Sequence, residues 1–365
     1  MALKIVQFLP ELNEGGVERG VVELNRELNL KGFNSYVVSA GGKLVNQIDA
    51  DNGTHIKFDV CSKNIFTLFS RASKLKKILK DIKPDVLHVR SRVPAWIVYL
   101  ANKSLNIKVV STVHGFNSVG FYSSIMTKFD AVICVSGAIK EYIQKHYNTS
   151  NDKITVIPRG IDLEVFNPNN KNEEFINQFC TKYDLYDKFI VCSVGRITQL
   201  KDYETFINAI AQIKKIDPTV IGLIVGGVRD DKRDYFNSLV DLVEKLGLED
   251  QIVFAGSQKN IQDIYMISDV IVSSSKKPES FGRAVAEAIC VNTPVVATNH
   301  GGVKDIIIAE QNGYFFDNGN YEQLASNILK ASKLKFDGYS YISSTFSLDQ
   351  MVDKTVEVYK KVLNR

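Results

Sequence analysis

Hydrophobic residues along this chain follow two rhythms that alternate. Short apolar runs are succeeded by longer stretches in which apolar positions recur every three or four residues. The first run, Leu3 to Leu9, reads as a strand; with Pro10-Glu11 behind it, it is too short and too soon polar for a signal peptide. After Gly15-Gly16, the residues Val17, Val21, Leu24 and Leu28 recur at steps of four, three and four, the stripe of a helix from Val17 to about Lys31. Gly32 stands where a left-handed residue closes such a helix. Further strands are expected at 35–39, 55–58, 85–89, 107–113, 130–135 and 154–157, with helical segments between most of them. Alternation of this kind predicts a parallel sheet covered on both faces.

The rhythm breaks over residues 158–186, where Pro158, Pro168, the asparagine-rich 167–172 and many charges predict a connection holding a short helix near 173–182. A second series opens at Phe189–Val194. Strands are expected at 220–225, 252–254, 269–273, 294–298 and 313–316, and helices at 202–216, 233–246, 260–267, 283–291, 302–309 and 321–333. A last helix, about 347–363, follows an irregular stretch. The chain is therefore expected to be α/β, with two doubly wound, Rossmann-like parallel-sheet domains, residues 1–165 and 186–346, and with residues 347–365 packing back on the first. Ligands bind outside the carboxyl ends of strands in such sheets. Two of them facing each other would make a cleft for two substrates.

Composition alters this picture little. The 365 residues suffice for two cores, and a formal net charge of +4 does not by itself imply nucleic acid, so no such partner is expected. The five cysteines, Cys61, Cys134, Cys180, Cys192 and Cys290, form no CxxC pair. They read as reduced, buried thiols of a cytoplasmic protein. No apolar run reaches the length of a membrane span. Residues 63–83 interleave seven cations, among them Lys63, Arg71 and Lys77, with Ile65, Phe66, Phe69 and Leu75. Two readings stay open here: a basic amphipathic helix lying on an anionic membrane, or a sheet-covering helix with a solvated basic face.

Candidate chemistry gathers at strand ends. Glu279 and Glu287, eight positions apart, flank a strand-to-helix turn at Gly282. The backbone amides of Ser280, Phe281, Gly282 and Arg283 at that helix start suit an anion, and carboxylates suit the hydroxyls of a sugar or ribose. Arg196, after Val194-Gly195, and Lys201, just ahead of a plausible N-cap at Asp202, are two cations at a strand's carboxyl end and suit a diphosphate. Gly15 and Gly16 would let a ligand approach bare backbone, but they are no GxGxxG fingerprint, which ranks a dinucleotide oxidoreductase low. Arg90 and Arg92 follow another strand end and would greet an anionic acceptor; ordinary surface charge is the alternative. Asp49-Ala50-Asp51 reads as a solvated helix terminus, and neither metal nor cofactor is expected.

Taken in order, Gly15-Gly16-Val17-Glu18-Arg19, His114-Gly115, Val135-Ser136, Pro158-Arg159-Gly160-Ile161-Asp162, Gly195-Arg196 with Lys201, and Glu279 with Glu287 resemble the retaining glycosyltransferases of family 4, whose fold is GT-B. The run His88 to Trp96 is similar to members from bacterial cell-envelope gene sets. The resemblance implies a hexosyl transfer from a nucleotide-diphosphate sugar, with UDP preferred over GDP, to a saccharide or lipid-linked acceptor in lipopolysaccharide-type synthesis. It implies that Gly16 admits the donor, that Arg196 and Lys201 neutralise the departing diphosphate, and that Glu287 holds the ribose. It further implies that Glu279, with the amides of Ser280, Phe281 and Gly282, holds the transferred sugar, and that His114 sits near the anomeric centre. Family members carry Asn where Arg159 stands, which leaves the role of that position open. The rivals are a nucleotide-sugar 2-epimerase of the same layout and a non-catalytic nucleotide-sugar binder.

Overall fold

The computed structural model describes residues 2–13 and 15–364. They divide into two compact units: unit 1, Met1–Gly160 with Leu348–Arg365, and unit 2, Ile161–Ser347.

Unit 1 is built on seven parallel strands, β1 (Lys4–Phe8), β2 (Asn34–Ser39), β3 (Thr54–Lys57), β4 (Val86–Val89), β5 (Lys108–Val113), β6 (Ala131–Cys134) and β7 (Ile154–Val156). Their order is β3-β2-β1-β4-β5-β6-β7, so the winding reverses between β1 and β4. Helices α1 (Gly16–Leu30), α2 (Val45–Ala50), α3 (Leu68–Ile82), α4 (Arg92–Asn102), α5 (Phe121–Ser124) and α6 (Gly137–Tyr147) connect them. The stripe read from α1 does bury Val21, Leu24 and Leu28, while Val17 stays half-buried. Gly32, at φ +80°, closes the helix as expected.

Unit 2 repeats the plan with six parallel strands, β8 (Phe189–Val194), β9 (Val220–Val225), β10 (Ile252–Gly256), β11 (Val270–Ser273), β12 (Val295–Thr298) and β13 (Gly313–Phe316), in the order β10-β9-β8-β11-β12-β13. The reversal lies between β8 and β11. Its helices are α7 (Glu173–Tyr183), α8 (Tyr203–Lys214), α9 (Arg233–Leu246), α10 (Ile261–Met266), α11 (Arg283–Cys290), α12 (Tyr321–Ala331) and α13 (Gly338–Thr345). Strands β8, β9 and β12 are buried almost throughout, as a sheet with both faces covered requires.

The chain then returns to unit 1 as α14 (Leu348–Leu363). Leu348, Val352, Val356, Tyr359 and Val362 share one buried face of it and pack with Ile5, Leu24, Val110 and Ile133. Tyr359 also reaches the sheet by its hydroxyl. His88 of β4 is 1% exposed, and its Nδ1 lies 2.5 Å from the Tyr359 hydroxyl and its Nε2 2.6 Å from Thr112 Oγ1.

Several expectations need correction. Residues 302–309 make only a 3₁₀ turn, Gly302–Asp305. The Gly302 amide is spent on Glu279 O at 2.7 Å, and Gly301 sits at φ +73°, so the backbone serves the Glu279 loop instead of a helix. The stretch taken as irregular before α14 contains α13, capped where Asp337 Oδ1 accepts from the Ser340 amide. Its Tyr- and Ser-rich sequence hid the helical stripe. The basic helix begins at Leu68 and not at residue 63, and Arg71, Ala72, Leu75 and Leu79 bury one face of it. Asp202 adopts φ +52° and its carboxylate accepts from Thr205 Oγ1 instead of capping α8. Cys61 is only half-buried, although the other four thiols are buried.

Replacing Tyr359 by Phe would leave a buried His88 nitrogen without its partner. Tyr359→Phe should therefore cost about 1–3 kcal/mol. A lower urea midpoint checks this; an unchanged midpoint would show that the bond does not tie α14 to the sheet.

Candidate active site

In unit 2 the loops after β8 and β11, at the reversal of strand order, carry the charged residues singled out above. Lys201 ends a 3₁₀ turn, Gln199–Lys201, and its ammonium lies 2.5 Å from Glu279 Oε1. Ser275 Oγ donates to the same oxygen at 2.7 Å. Gly195 makes this possible, because a Cβ there would stand 2.6 Å from Lys201 Cε. The two loops are stitched together. Ser274 Oγ donates to Lys201 O at 2.8 Å, the Lys276 amide to Leu200 O at 2.8 Å, and Lys276 Nζ pairs with Asp202 at 3.2 Å.

Burial alone would push the Glu279 carboxyl upward. The Lys201 charge, hydrogen bonds from Lys201 and Ser275, and His300 outweigh it and hold Glu279 below its ordinary range. Arg196, directly after Gly195, is exposed and pairs with none of the described residues. Gly282 sets the turn into α11 at φ +99°, with Val303 Cγ1 occupying the space a Cβ would need. Phe281 anchors the turn in the core at 2% exposure, and Ser280 stays half-buried beside Glu279. The first amides of α11 have no acceptor within their own helix. Glu287, in contrast, is buried, with Arg283 Nε 2.6 Å from Oε1 and the Tyr265 hydroxyl 3.1 Å from Oε2. Each oxygen keeps a lone pair for a further donor.

In unit 1 Arg90, Arg92 and His114 line one pocket of about 270 Å³ at the ends of β4 and β5. Arg90 is no surface charge: it is buried, donates to Gln7 Oε1 at 2.7 Å, and burial lowers its pKa to about 10. Arg90 Nε is buried without an acceptor. Arg92 bonds Ser123 Oγ at 3.0 Å and lies over the Tyr122 ring, 5.3 Å from its centroid. Gly15 caps α1 and Gly16 begins it. The approach to Gly16 is shared by Arg159, whose guanidinium donates to Gly16 O and reaches His114 Nδ1 at 3.2 Å. A guanidinium only donates, so Nδ1 accepts and the His114 proton sits on Nε2. That atom is buried with no partner among the described residues. Burial, then the charges of Arg159 and Arg90, hold the ring neutral. His114 thus presents a hydrogen-bond donor and not a base.

His300 was missed as a candidate from sequence, where Arg159 was named with its role left open. His300 carries two buried ring nitrogens with no partner among the described residues, close enough to Glu279 to lower its pKa. Only the Gly-Gly pair behind it hinted at a special loop. Among the described residues no cluster of three or more His, Cys, Asp or Glu could hold a metal, and Asp49 lies exposed near the end of α2.

Residues 14–165 match the model of Glycosyltransferase Family 4, and residues 181–341 that of Glycosyl transferases group 1. The crystal structure of a glycosyltransferase from Rickettsia africae is 33% identical, with 99% of both chains covered and a TM-score of 0.91. This chain is a family 4 glycosyltransferase. The glycosyltransferase has the GT-B fold, and the isomerase and non-catalytic readings are not favoured. HepE of Anabaena, crystallised with UDP and glucose, shares the fold at 19% identity and a TM-score of 0.85 over 98% of this chain and 99% of that one. The lipopolysaccharide core biosynthesis mannosyltransferase LpsB of Rhizobium meliloti is 24% identical over 76% of this chain and 80% of its own. No helix among the described residues of the glycosyltransferase is long and apolar enough to cross a membrane.

Burial also depresses His88, so the folded glycosyltransferase refuses protons at His88 and His114 that the unfolded chain accepts near pH 6.5. Stability is then fully present above pH 6.5 and falls as pH drops below it. Urea titrations across this range should show the decline, and His114→Gln should flatten it; an unchanged slope would mean that His114 is not held neutral.

Proposed function

We propose that the protein is a retaining hexosyltransferase that takes its sugar from a nucleoside-diphosphate sugar, a UDP-sugar in preference to a GDP-sugar, without a metal or other cofactor. The observation that carries this is the exposed Arg196, paired with none of the described residues, in the same loop after β8 as Lys201, whose ammonium meets Glu279 in the loop from β11 into α11. The UDP and glucose bound by HepE support the choice of donor.

Arg196 and the ammonium donors of Lys201 not used by Glu279 meet the diphosphate. Glu287 accepts from the ribose hydroxyls through its spare lone pairs. Glu279, with the amides of Ser280, Phe281 and Gly282, holds the transferred sugar, and His114 offers its Nε2–H as a donor in unit 1. Gly15 and Gly16 leave the start of α1 open to a ligand. Charge developing on the departing phosphate is what these fixed donors stabilise. The bond from the anomeric carbon to the diphosphate breaks while the acceptor oxygen bonds on the same face. The acceptor's proton passes to the leaving phosphate.

The acceptor is a saccharide or lipid-linked saccharide that reaches Arg90 and Arg92. The working place is the inner face of the cytoplasmic membrane, in the synthesis of a bacterial envelope glycan. The relationship to LpsB and the basic face of α3 support this setting.

Arg196→Ala should reduce turnover about 10²–10³-fold, as loss of one preorganised contact to the transition-state charge does. Undiminished turnover with the true substrates would remove Arg196 from the mechanism. Thermal-shift measurements should show a rise in melting temperature with UDP and a smaller one with GDP. Proton NMR of the first product formed should show the donor's own anomeric configuration; the opposite anomer would overturn the retaining assignment.

A further inference from the structure

Beside the pocket of His114 and Arg90, unit 1 carries a second cavity of about 430 Å³. Ile65 and Leu68 at the start of the α3 segment, Val93 and Trp96 of α4, and Phe121 and Tyr122 of α5 form its apolar walls. Two of its lining residues are more exposed than a water-facing surface needs, Ile65 at 69% and Phe121 at 75%, and Phe66 and Phe69, next to Ile65 and Leu68 in the chain, are exposed at 90% and 72%. Single exposed apolar residues are ordinary, but a cluster at the mouth of a cavity marks a binding site. Lys63, Lys74, Lys77 and Lys80 stand exposed along the same segment, and no carboxylate occurs between Val60 and Lys80.

One residue joins this cavity to the neighbouring pocket. Arg92 lines the pocket of His114 and Arg90, and its guanidinium lies over the ring of Tyr122, which lines the apolar cavity. A hydrocarbon wall thus runs up to a cation, and past that cation lies a pocket whose buried Arg90 Nε and His114 Nε2 have no acceptor among the described residues.

We propose that the apolar cavity holds the hydrocarbon chain of the acceptor. The acceptor is then an amphiphile with an anionic group, placed at Arg92, between its chain and its sugar-accepting head. This rests on the transferase reading and narrows its acceptor to one class. A flat bilayer would cover the phenylalanines without any need for a cavity; an open groove of about 430 Å³, within the usual range of about 300–1,000 Å³ for small-molecule pockets, fits one chain. The charge along the segment is complementary to an anionic lipid and to nothing cationic.

Trp96 is the chain's one tryptophan and lines the cavity, with its Nε1 donating to Tyr122 O at 3.0 Å, so its fluorescence reports on the site. The full chain would be titrated with dodecyl phosphate below its micelle-forming concentration, with butyl phosphate and dodecyl maltoside alongside. Dodecyl phosphate should saturate a blue shift of Trp96, and butyl phosphate should bind more than about a hundredfold more weakly, given the methylenes it lacks. Phe121→Ser and Ile65→Ser, both at exposed positions, should each weaken dodecyl phosphate about tenfold or more. Arg92→Gln should weaken dodecyl phosphate but not dodecyl maltoside.

No saturable shift, equal binding of the short and long chains, or equal binding by both serine variants would overturn the proposal. So would a dimer in gel filtration that Phe121→Ser dissolves, because the face would then belong to a second copy. A shift given by anionic vesicles but not by monomeric dodecyl phosphate would assign it to a bilayer. Should the serine variants lose their circular dichroism, the chain-length comparison on the unaltered protein and Arg92→Gln still decide. Calorimetry with UDP on the same sample separates the two readings. UDP binding without amphiphile binding overturns only the cavity, and amphiphile binding without UDP binding overturns only the donor assignment.

Discussion

A lysine ammonium 2.5 Å from a half-buried glutamate holds the loops after β8 and β11 together, and the candidate chemistry of unit 2 hangs on that pair. Removing two charges from water is costly, and such a pair persists only where further hydrogen bonds complete it. Ser275 supplies one to Glu279, and the absence of a side chain at Gly195 supplies the room for Lys201. Gly226 packs in turn against the Gly195 carbonyl, where a Cβ would come within 1.9 Å, and Tyr203 donates to the same carbonyl at 2.5 Å. The ion pair is thus backed by closely fitted backbone. An ammonium has three donors, so Lys201 can keep Glu279 in place and still meet a second anion. Arg196, with no partner to leave, needs no rearrangement to do the same.

Unit 1 solves a different problem. The ends of β1, β4 and β5 carry a buried polar layer. His88 is satisfied on both sides by Thr112 and Tyr359. The neighbouring groups have no acceptor among the described residues: Gln7 Nε2, Arg90 Nε and His114 Nε2. Each is a donor, and an orphaned buried donor costs stability. Unsatisfied buried donors favour a ligand that brings acceptors, such as hydroxyl, carboxylate or phosphate oxygens. Arg159 completes the arrangement by fixing which His114 nitrogen bears the proton.

Much of this was legible in the sequence because it depends on local rules. The strand at 220–225, the short strand at 313–316 and the helix at 233–246 were bounded correctly from apolar runs and periodicity alone. The turn at Gly282 followed from a glycine between a strand and a helix. Helix α13 was not legible, since Tyr and Ser leave no clear stripe, and the expected helix at 302–309 was lost to a long-range bond with Glu279 that no local pattern contains.

The sequence by itself determined two α/β repeats, the strand ends that carry charge, and a motif order that marks a family 4 glycosyltransferase. These depend on residue spacing, which the chain keeps before it folds. Tertiary structure decided the pairings. It buried Arg90 instead of solvating it, set Arg159 against His114, gave Glu287 to Arg283 and Tyr265, and brought Tyr122 beneath Arg92. Partners far apart in the chain meet only when sheets close and helices pack, so burial, protonation and the direction of each donor follow from three-dimensional neighbours.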